Sequence, residues 1–357
     1  MNKKNIIKLS KKLISIPSTG NDKKALLQSL EAAKPYLEKY KVKSYRKNGI
    51  NSLLAYNVSK LPKKFRVILN GHLDVVSANK DQFKPVIKGD KLFGRGAIDM
   101  KTAAAVEILV FSEIAEKVTY PLGLQLVTDE EVGGFNGTKY QISQGVKTDF
   151  VIAGEHTDFA INNQAKGILW VKITAKGKVA HGAYPWEGDN AVKKMNEFVN
   201  KLVKKYPVPD KEAWRTTVNL SQINTSNKTF NKVPDDCMVA LDIRYVPEEK
   251  SEIVKNIKKL VPKEFDIEIV EKEPPQKTDI NNKNIKNLKK IISEVMGKPV
   301  KTINKHGASD IRHYDDAGCP GVCFGPVGKG LHSDNEWVSI ESLDTYYEIL
   351  MNFLLST

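Results

Sequence analysis

Apolar positions in roughly the first 160 residues keep two rhythms, a helical period and short unbroken runs. The helical spacing predicts helices over 5–14, 23–40 and 100–115, and the runs predict buried strands over 66–70, 123–127 and 150–153. Such alternation predicts an α/β sheet with helices on both faces. In sheets of that kind ligands gather beyond the carboxyl ends of the strands. The middle of the chain changes rhythm: strand 168–176, helix 190–205, strands 216–223 and 237–245, helix 247–260, strand 265–270. That β-α-β-β-α-β order is the ferredoxin-like split motif, compact enough to stand as a small α+β domain. After Pro274-Pro275 the first rhythm returns, with a helix over 284–296, strands near Thr302 and Val322, and a closing helix over 340–355. The expected organisation is a large α/β domain built from 1–165 and 276–357, with a smaller domain of 166–275 inserted into it.

Composition narrows the class without changing that picture. A chain of 357 residues exceeds one ordinary core, and 41% apolar with 27% charged residues is a globular profile. No run approaches the roughly 18 to 20 apolar residues of a membrane span. Lysines divide the N-terminal MNKKNIIKLSKKLISIP, which reads as the amphipathic first helix of a cytoplasmic protein. Cys237, Cys319 and Cys323 cannot all pair and are scattered as reduced core thiols would be. The formal charge of +14 raises a rival class, a basic binding protein for nucleic acid or an acidic carrier. Against it, only six basic residues are arginine, and the lysines are spread over helix faces and turns with no dense block. That rival predicts salt-sensitive association and indifference to chelators.

Chemistry enters where the apolar runs end. In RVILNGHLDVV (66–76) a strand reaches Gly71 and then presents His72 and Asp74, which point to the same side of an extended chain. A carboxylate beside a histidine fixes the ring and leaves its other nitrogen for a metal; the plainer alternative is a satisfied structural histidine. LFGRGAIDMKTAAA (92–105) sets Asp99 between a glycine-rich turn and an alanine-rich helix, where it is either a helix cap or a carboxylate able to bridge two cations. LQLVTDEEVGG (124–134) crowds Asp129, Glu130 and Glu131 at a strand end, a repulsion that water can screen or divalent cations can reverse. FVIAGEHTD (150–158) delivers Glu155 in the same way, and CFGPVGKGLHSDNEWVSIESL (323–343) places His332 in a glycine-rich loop before the last helix. Acids and histidines recurring at equivalent sheet positions point to one site. His72, Asp99, Glu131, Glu155 and His332 make a mixed N/O set suited to zinc, cobalt or manganese.

In order and along nearly the whole chain, the blocks GHLDVV, GRGAIDMK, TDEEVGG, AGE and GLHSDNEWV resemble a known family, and LISIPSTG looks like its opening helix end. That family is the dinuclear metallohydrolases of acetylornithine deacetylase, succinyl-diaminopimelate desuccinylase, aminoacylase and glutamate carboxypeptidase. The resemblance implies a mixed-sheet zinc-hydrolase catalytic domain with an inserted ferredoxin-like lid or dimerisation domain. It implies two divalent ions, zinc first, with cobalt or manganese as alternatives. Asp99 would bridge both, His72 and Glu155 would complete one coordination sphere, and Glu131 and His332 the other. Asp74 would orient His72, and Glu130 would be the general base, moving a proton from water to the leaving amine. A cis peptide between Asp99 and Met100 is expected with this arrangement.

The resemblance extends to the inserted domain. KGKVAHGAYPWEGDNA (176–191) puts His181 where the family has a histidine that stabilises an oxyanion. NKVPDDCMVALDIRY (231–245) puts Asn231 and Arg244 where the family contacts substrate, and arginine's fork suits a carboxylate. HGASDIRHY (306–314) resembles a substrate-side loop and brings in Ser309 and Arg312, whose alternatives are a helix cap and a surface charge. Thr102, Gly182 and His156 stand where glycine, serine and proline are common in the family; none removes a ligand, and His156 is a neighbour of the site to be placed. The implied reaction is hydrolysis of the amide bond of an N-acyl amino acid, acetyl or succinyl. Dipeptidase or carboxypeptidase action on a short peptide is the alternative. A homodimer through the inserted domain is implied for members in which His181 and Asn231 serve the neighbouring subunit. A noncatalytic relative is a further rival, opposed by the intact ligand set.

Overall fold

The computed structural model describes residues 3–357. The chain divides into two compact units. One runs to Gln164 and includes Lys277–Asn304 and Ser309–Thr357; the other comprises Ala165–Gln276 with Lys305–Ala308. The short return at 305–308 carries no hydrophobic pattern that would announce it.

A mixed sheet organises the first unit. Strands Lys41–Lys47, Ile50–Tyr56, Leu122–Val127, Val67–His72, Val151–Ala153 and Gly321–Cys323 lie side by side in that order. The first three pair antiparallel and the last four parallel. Successive side chains alternate between two buried faces. Leu69 and Ile152 join the larger cluster, which takes in Leu9, Ala103 and Phe353 from the helices Lys3–Ile14, Lys101–Ile114 and Ile340–Leu355. Ile68 and Val151 join the smaller one with Phe65, Ile311 and Tyr314. Strands covered on both faces read as continuous apolar runs, so the pattern exposes them. A second, small antiparallel sheet joins Val86–Lys88 and Lys91–Phe93 to Trp337–Ser339 and Gly328–Lys329.

Two elements depart from expectation for local reasons. The helix expected over 23–40 stops at Ala33, and Pro35 sits in a single 3-10 turn, Lys34–Tyr36, because it has no amide to continue the ladder. The hairpin of Lys41–Lys47 and Ile50–Tyr56 was not expected. It reverses at Asn48 and Gly49, with φ of 50° and 81°, the left-handed pair that a two-residue hairpin turn requires.

In the second unit, Thr217–Asn224, Asp236–Tyr245, Gly167–Lys176 and Asp266–Glu273 form a four-stranded antiparallel sheet in that order. The sheet order is second, third, first and fourth strand of the β-α-β-β-α-β run, the ferredoxin-like arrangement. Helices Ala191–Lys205 and Ile253–Leu260 cover one face, packing Met195, Phe198 and Ile257 on Val171, Val239 and Ile243. Alternation leaves Trp170, Asp242 and Arg244 on the other, partly exposed face. Among the described residues no helix is long and apolar enough to cross a membrane, and all three cysteines are free and buried.

Candidate metal centre

Neighbouring parallel strands carry the donors out at their carboxyl ends. His72 is the last residue of Val67–His72, Glu130 and Glu131 open the 3-10 turn Glu130–Val132 beyond Leu122–Val127, and Glu155 lies two residues past Val151–Ala153. Register aligns them: His72 sits opposite Val127 and Asn70 opposite Ala153. Gly71 and Gly154 let the helix beneath come close, since a Cβ at either would lie 2.8 Å from the carboxylate of buried Glu107.

His72 Nε2 is 3.0 Å from Asp99 Oδ1 and 3.7 Å from Glu155 Oε1. His332 Nε2 is 3.1 Å from Asp99 Oδ2 and 3.2 Å from Glu131 Oε2. Each oxygen of Asp99 therefore faces a different histidine, as a bridging carboxylate must. Two sets of donor atoms, His72 with Glu130 and Glu155, and His72 with Asp99 and Glu131, each lie within 4.8 Å of one another. All five expected ligands converge. Glu130, expected as a base alone, also stands at ligand distance, and His156 belongs to neither set.

Three expectations change in detail. Asp74 reaches the His72 ring through its carbonyl, 3.0 Å from Nδ1, more closely than through its carboxylate at 3.6 Å. A carbonyl can only accept, so Nδ1 donates to it, and Nε2, which faces Asp99 and Glu155, is the ring atom left for a cation once a cation displaces its proton. The Asp74 carboxylate instead accepts the Glu131 amide at 2.9 Å, positioning the acidic turn. Met100, not Asp99, caps the helix Lys101–Ile114. No cis peptide bond occurs among the described residues, so the Asp99–Met100 bond is trans, contrary to expectation. Trans is the lower-energy form outside proline, and with it both Asp99 oxygens already reach the histidines.

Electrostatics fit the donor set to cations. Burial, then the charge of Asp99, pushes the Glu131 carboxyl up to about 7; burial also raises Glu130, and burial with Asp310 lifts Asp129 to about 7. Burial opposes charge on His72, yet Asp74 and Asp99 hold it well above the ordinary imidazole value. Burial likewise opposes ionisation of Asp99, but His332 and His72 hold it well below the carboxylate range. Buried acids this crowded, with nitrogen donors between them, fit a pair of divalent ions.

A sequence profile of peptidase family M20/M25/M40 matches residues 68–356. The chain belongs to that family. It is a metal-dependent hydrolase. An uncharacterised metallohydrolase of Methanocaldococcus jannaschii is 27% identical over 88% of this chain and 90% of the relative. A succinyl-diaminopimelate desuccinylase of Nitratiruptor sp. is 25% identical over 98% of this chain and 99% of the relative. The fold is that of aminopeptidase PepT from Bacillus cereus, with TM-score 0.82, 17% identity and both chains covered completely. It is also that of an M20 metallo-carboxypeptidase from Sulfolobus solfataricus, with TM-score 0.77, 18% identity and 98% of both chains covered.

In this M20 chain the remaining expected residues fall into two groups. Ser309 is buried with Oγ 3.1 Å from Cys323 Sγ, and it does not cap the short helix Ile311–Asp316, whose cap is Asp310. Arg312 is buried rather than a surface charge; it donates to the carbonyls of Ser309 at 2.8 Å and Gly133 at 2.6 Å. The other three belong to the second unit. His181 is exposed, with Nδ1 accepting the Ala183 amide at 3.1 Å, and it bridges to Lys232 beside exposed Asn231. At Gly182, where serine is common in the family, a Cβ would come within 3.0 Å of the Asn231 backbone. Arg244 offers its Nε–Nη2 edge to Asp242 at 2.8 and 3.1 Å. Lys166, which the pattern did not single out, is buried with its Nζ 5.9 Å above the Trp214 ring, and burial followed by Arg215 and Arg244 lowers its pKa. One lysine in a lysine-rich chain carries no signal of its own.

Proposed function

We propose that this M20 hydrolase cleaves the amide bond of an N-acyl amino acid, acetyl or succinyl, beside a free carboxylate. The observation that carries the reading is the pair of Asp99 oxygens facing His72 and His332, with Glu130 beside His72 and Glu155. Asp99 would lie between two ions, zinc first and cobalt or manganese otherwise, with His72 and Glu155 on one side and Glu131 and His332 on the other. Such ions polarise a carbonyl and make water more acidic. The chain's own groups do the rest. Glu130 takes the proton from the attacking water and returns it to the leaving nitrogen. Asp74 fixes the His72 tautomer with its carbonyl and the Glu131 turn with its carboxylate. We assign His181 to the developing oxyanion and Asn231 and Arg244 to the substrate. With its Nε–Nη2 edge taken by Asp242, Arg244 keeps Nη1 for a substrate carboxylate. Lys166 and Arg215 add positive charge near Arg244, which favours an anionic acyl group.

The second unit takes the part of lid and dimerisation domain in this reading, and the free buried cysteines agree with a cytoplasmic location. The desuccinylase relative, similar along nearly its whole length, supports acyl amino acids. A dipeptidase or carboxypeptidase would use the same machinery and is the second reading, favoured by the peptidase folds. A panel of N-acetyl and N-succinyl amino acids and dipeptides, with zinc, cobalt or manganese returned to stripped enzyme, tests it. Metal-restored turnover of an N-acyl amino acid is expected. Turnover of dipeptides alone would transfer the assignment to the second reading, and no turnover with any metal would end both.

A further inference from the structure

Glu336 lies four residues beyond His332 and is 1% exposed, while its partner Arg95 is 3% exposed. Its Oε2 is 2.5 Å from Arg95 Nη1, and its Oε1 accepts the amides of Ile98 at 2.9 Å and Asp99 at 3.2 Å. Backbone contacts join the same two segments. The Gly94 amide donates to the Glu336 carbonyl at 3.1 Å, Trp337 pairs with Phe93 in the small sheet, and Gln82 Nε2 donates to the Ser333 carbonyl at 2.9 Å.

Local sequence explains how an arginine comes to be buried here. Gly94 and Gly96 flank it with φ of 150° and 82°. A Cβ at Gly94 would lie 2.5 Å from Ile14, and one at Gly96 would lie 2.7 Å from Lys101. Glycine alone lets the turn fold around Arg95 without strain.

A buried ion pair is weak ground for a stability argument, because desolvation offsets its attraction. This pair does something else. It ties together segments whose ligands, Asp99 and His332, are 233 residues apart in sequence and 3.1 Å apart in space. His332 also has a φ of 59°, a left-handed backbone that a non-glycine residue keeps only when its surroundings hold it.

We propose that Glu336 is a positioning residue of the metal centre. With Arg95 it fixes the backbone of Asp99 against the loop that presents His332, and so sets the spacing of those two ligands. The proposal rests on the dinuclear reading above. Its effect is on the affinity and geometry of the bound ion more than on the fold.

Cobalt is the probe, because its visible d–d bands report coordination geometry. Stripped full-length chain is titrated with cobalt against a chromophoric chelator. Glu336→Gln keeps volume and one acceptor oxygen but turns an amide NH2 toward Arg95; cobalt binding about 10- to 100-fold weaker, with shifted bands, is expected. Since that variant leaves Arg95 buried without a counter-ion, Arg95→Met/Glu336→Leu is measured beside it. This double variant removes both charges of the pair, leaving only the Ile98 and Asp99 amides without their acceptor, and is expected to stay folded while losing cobalt affinity to a similar extent. Whichever variant keeps the wild-type far-UV spectrum decides the matter. Wild-type affinity and wild-type bands in that variant overturn the inference. A wild-type chain that takes up no cobalt overturns the metal reading instead.

Discussion

Glu130 and Glu131 are neighbours whose surroundings divide their work. Glu131 meets His332 at 3.2 Å, whereas Glu130 groups with His72 and Glu155. Glu130→Ala is therefore expected to lower kcat by about 10²- to 10⁴-fold, the usual contribution of a general base, while keeping its metal. His72→Ala is expected to lose metal as well as rate. Metal content measured beside kinetics checks both; a near-normal rate in Glu130→Ala contradicts the assignment. His72, Glu131 and Glu155 were legible because each lies just past an apolar run, where a polar side chain is conspicuous, whereas Asp99 and His332 stand beside glycine-rich turns. Arg95, Glu107, Lys166 and Glu336 were not. In sequence a buried charge looks like any surface charge, and the partner that reveals it lies far away: Glu336 for Arg95 and, for Glu107, Tyr346 at 3.1 Å.

Short elements set the geometry of the acidic turn. The helix Ile311–Asp316 presents Arg312 and His313 to one carbonyl, that of Gly133, at 2.6 and 2.9 Å. Burial, then Arg312, pushes His313 down to about 3 from 6.5. Because the folded value is below the unfolded one, the unfolded chain binds the extra proton in that window. His313 thus supports the fold fully above about pH 6.5, and that support falls by about 1.4 kcal/mol per unit as pH drops toward 3. His313→Gln keeps a donor for Gly133 and removes the titration. In urea unfolding of metal-free chain, the wild type is expected to lose about 2 kcal/mol more than His313→Gln between pH 6.5 and 5. Parallel losses contradict it. Element-level misreadings had similarly local causes. The strand Lys41–Lys47 is mostly exposed lysine and arginine, so it lacks an apolar run, and only its Asn48-Gly49 turn could have announced it.

At the scale of the molecule, fold class was legible because two different periodicities mark two different kinds of unit. Parallel strands buried on both faces give continuous runs, and the antiparallel sheet with one helix-covered face gives alternation. The convergence of His72, Asp99, Glu131, Glu155 and His332 is a property of sheet order, which no single segment contains. Exposed pairs such as Lys64 with Asp149 and Lys176 with Asp266 leave the net charge of +14 unchanged; what speaks against a polyanionic partner is that only six basic residues are arginine and that the lysines are spread along the chain. The most direct measurement is the zinc content of wild-type chain and His332→Ala after equilibrium dialysis. Two ions per wild-type chain and fewer in the variant are predicted. A wild-type chain that retains no zinc, or a variant that retains as much, contradicts the account.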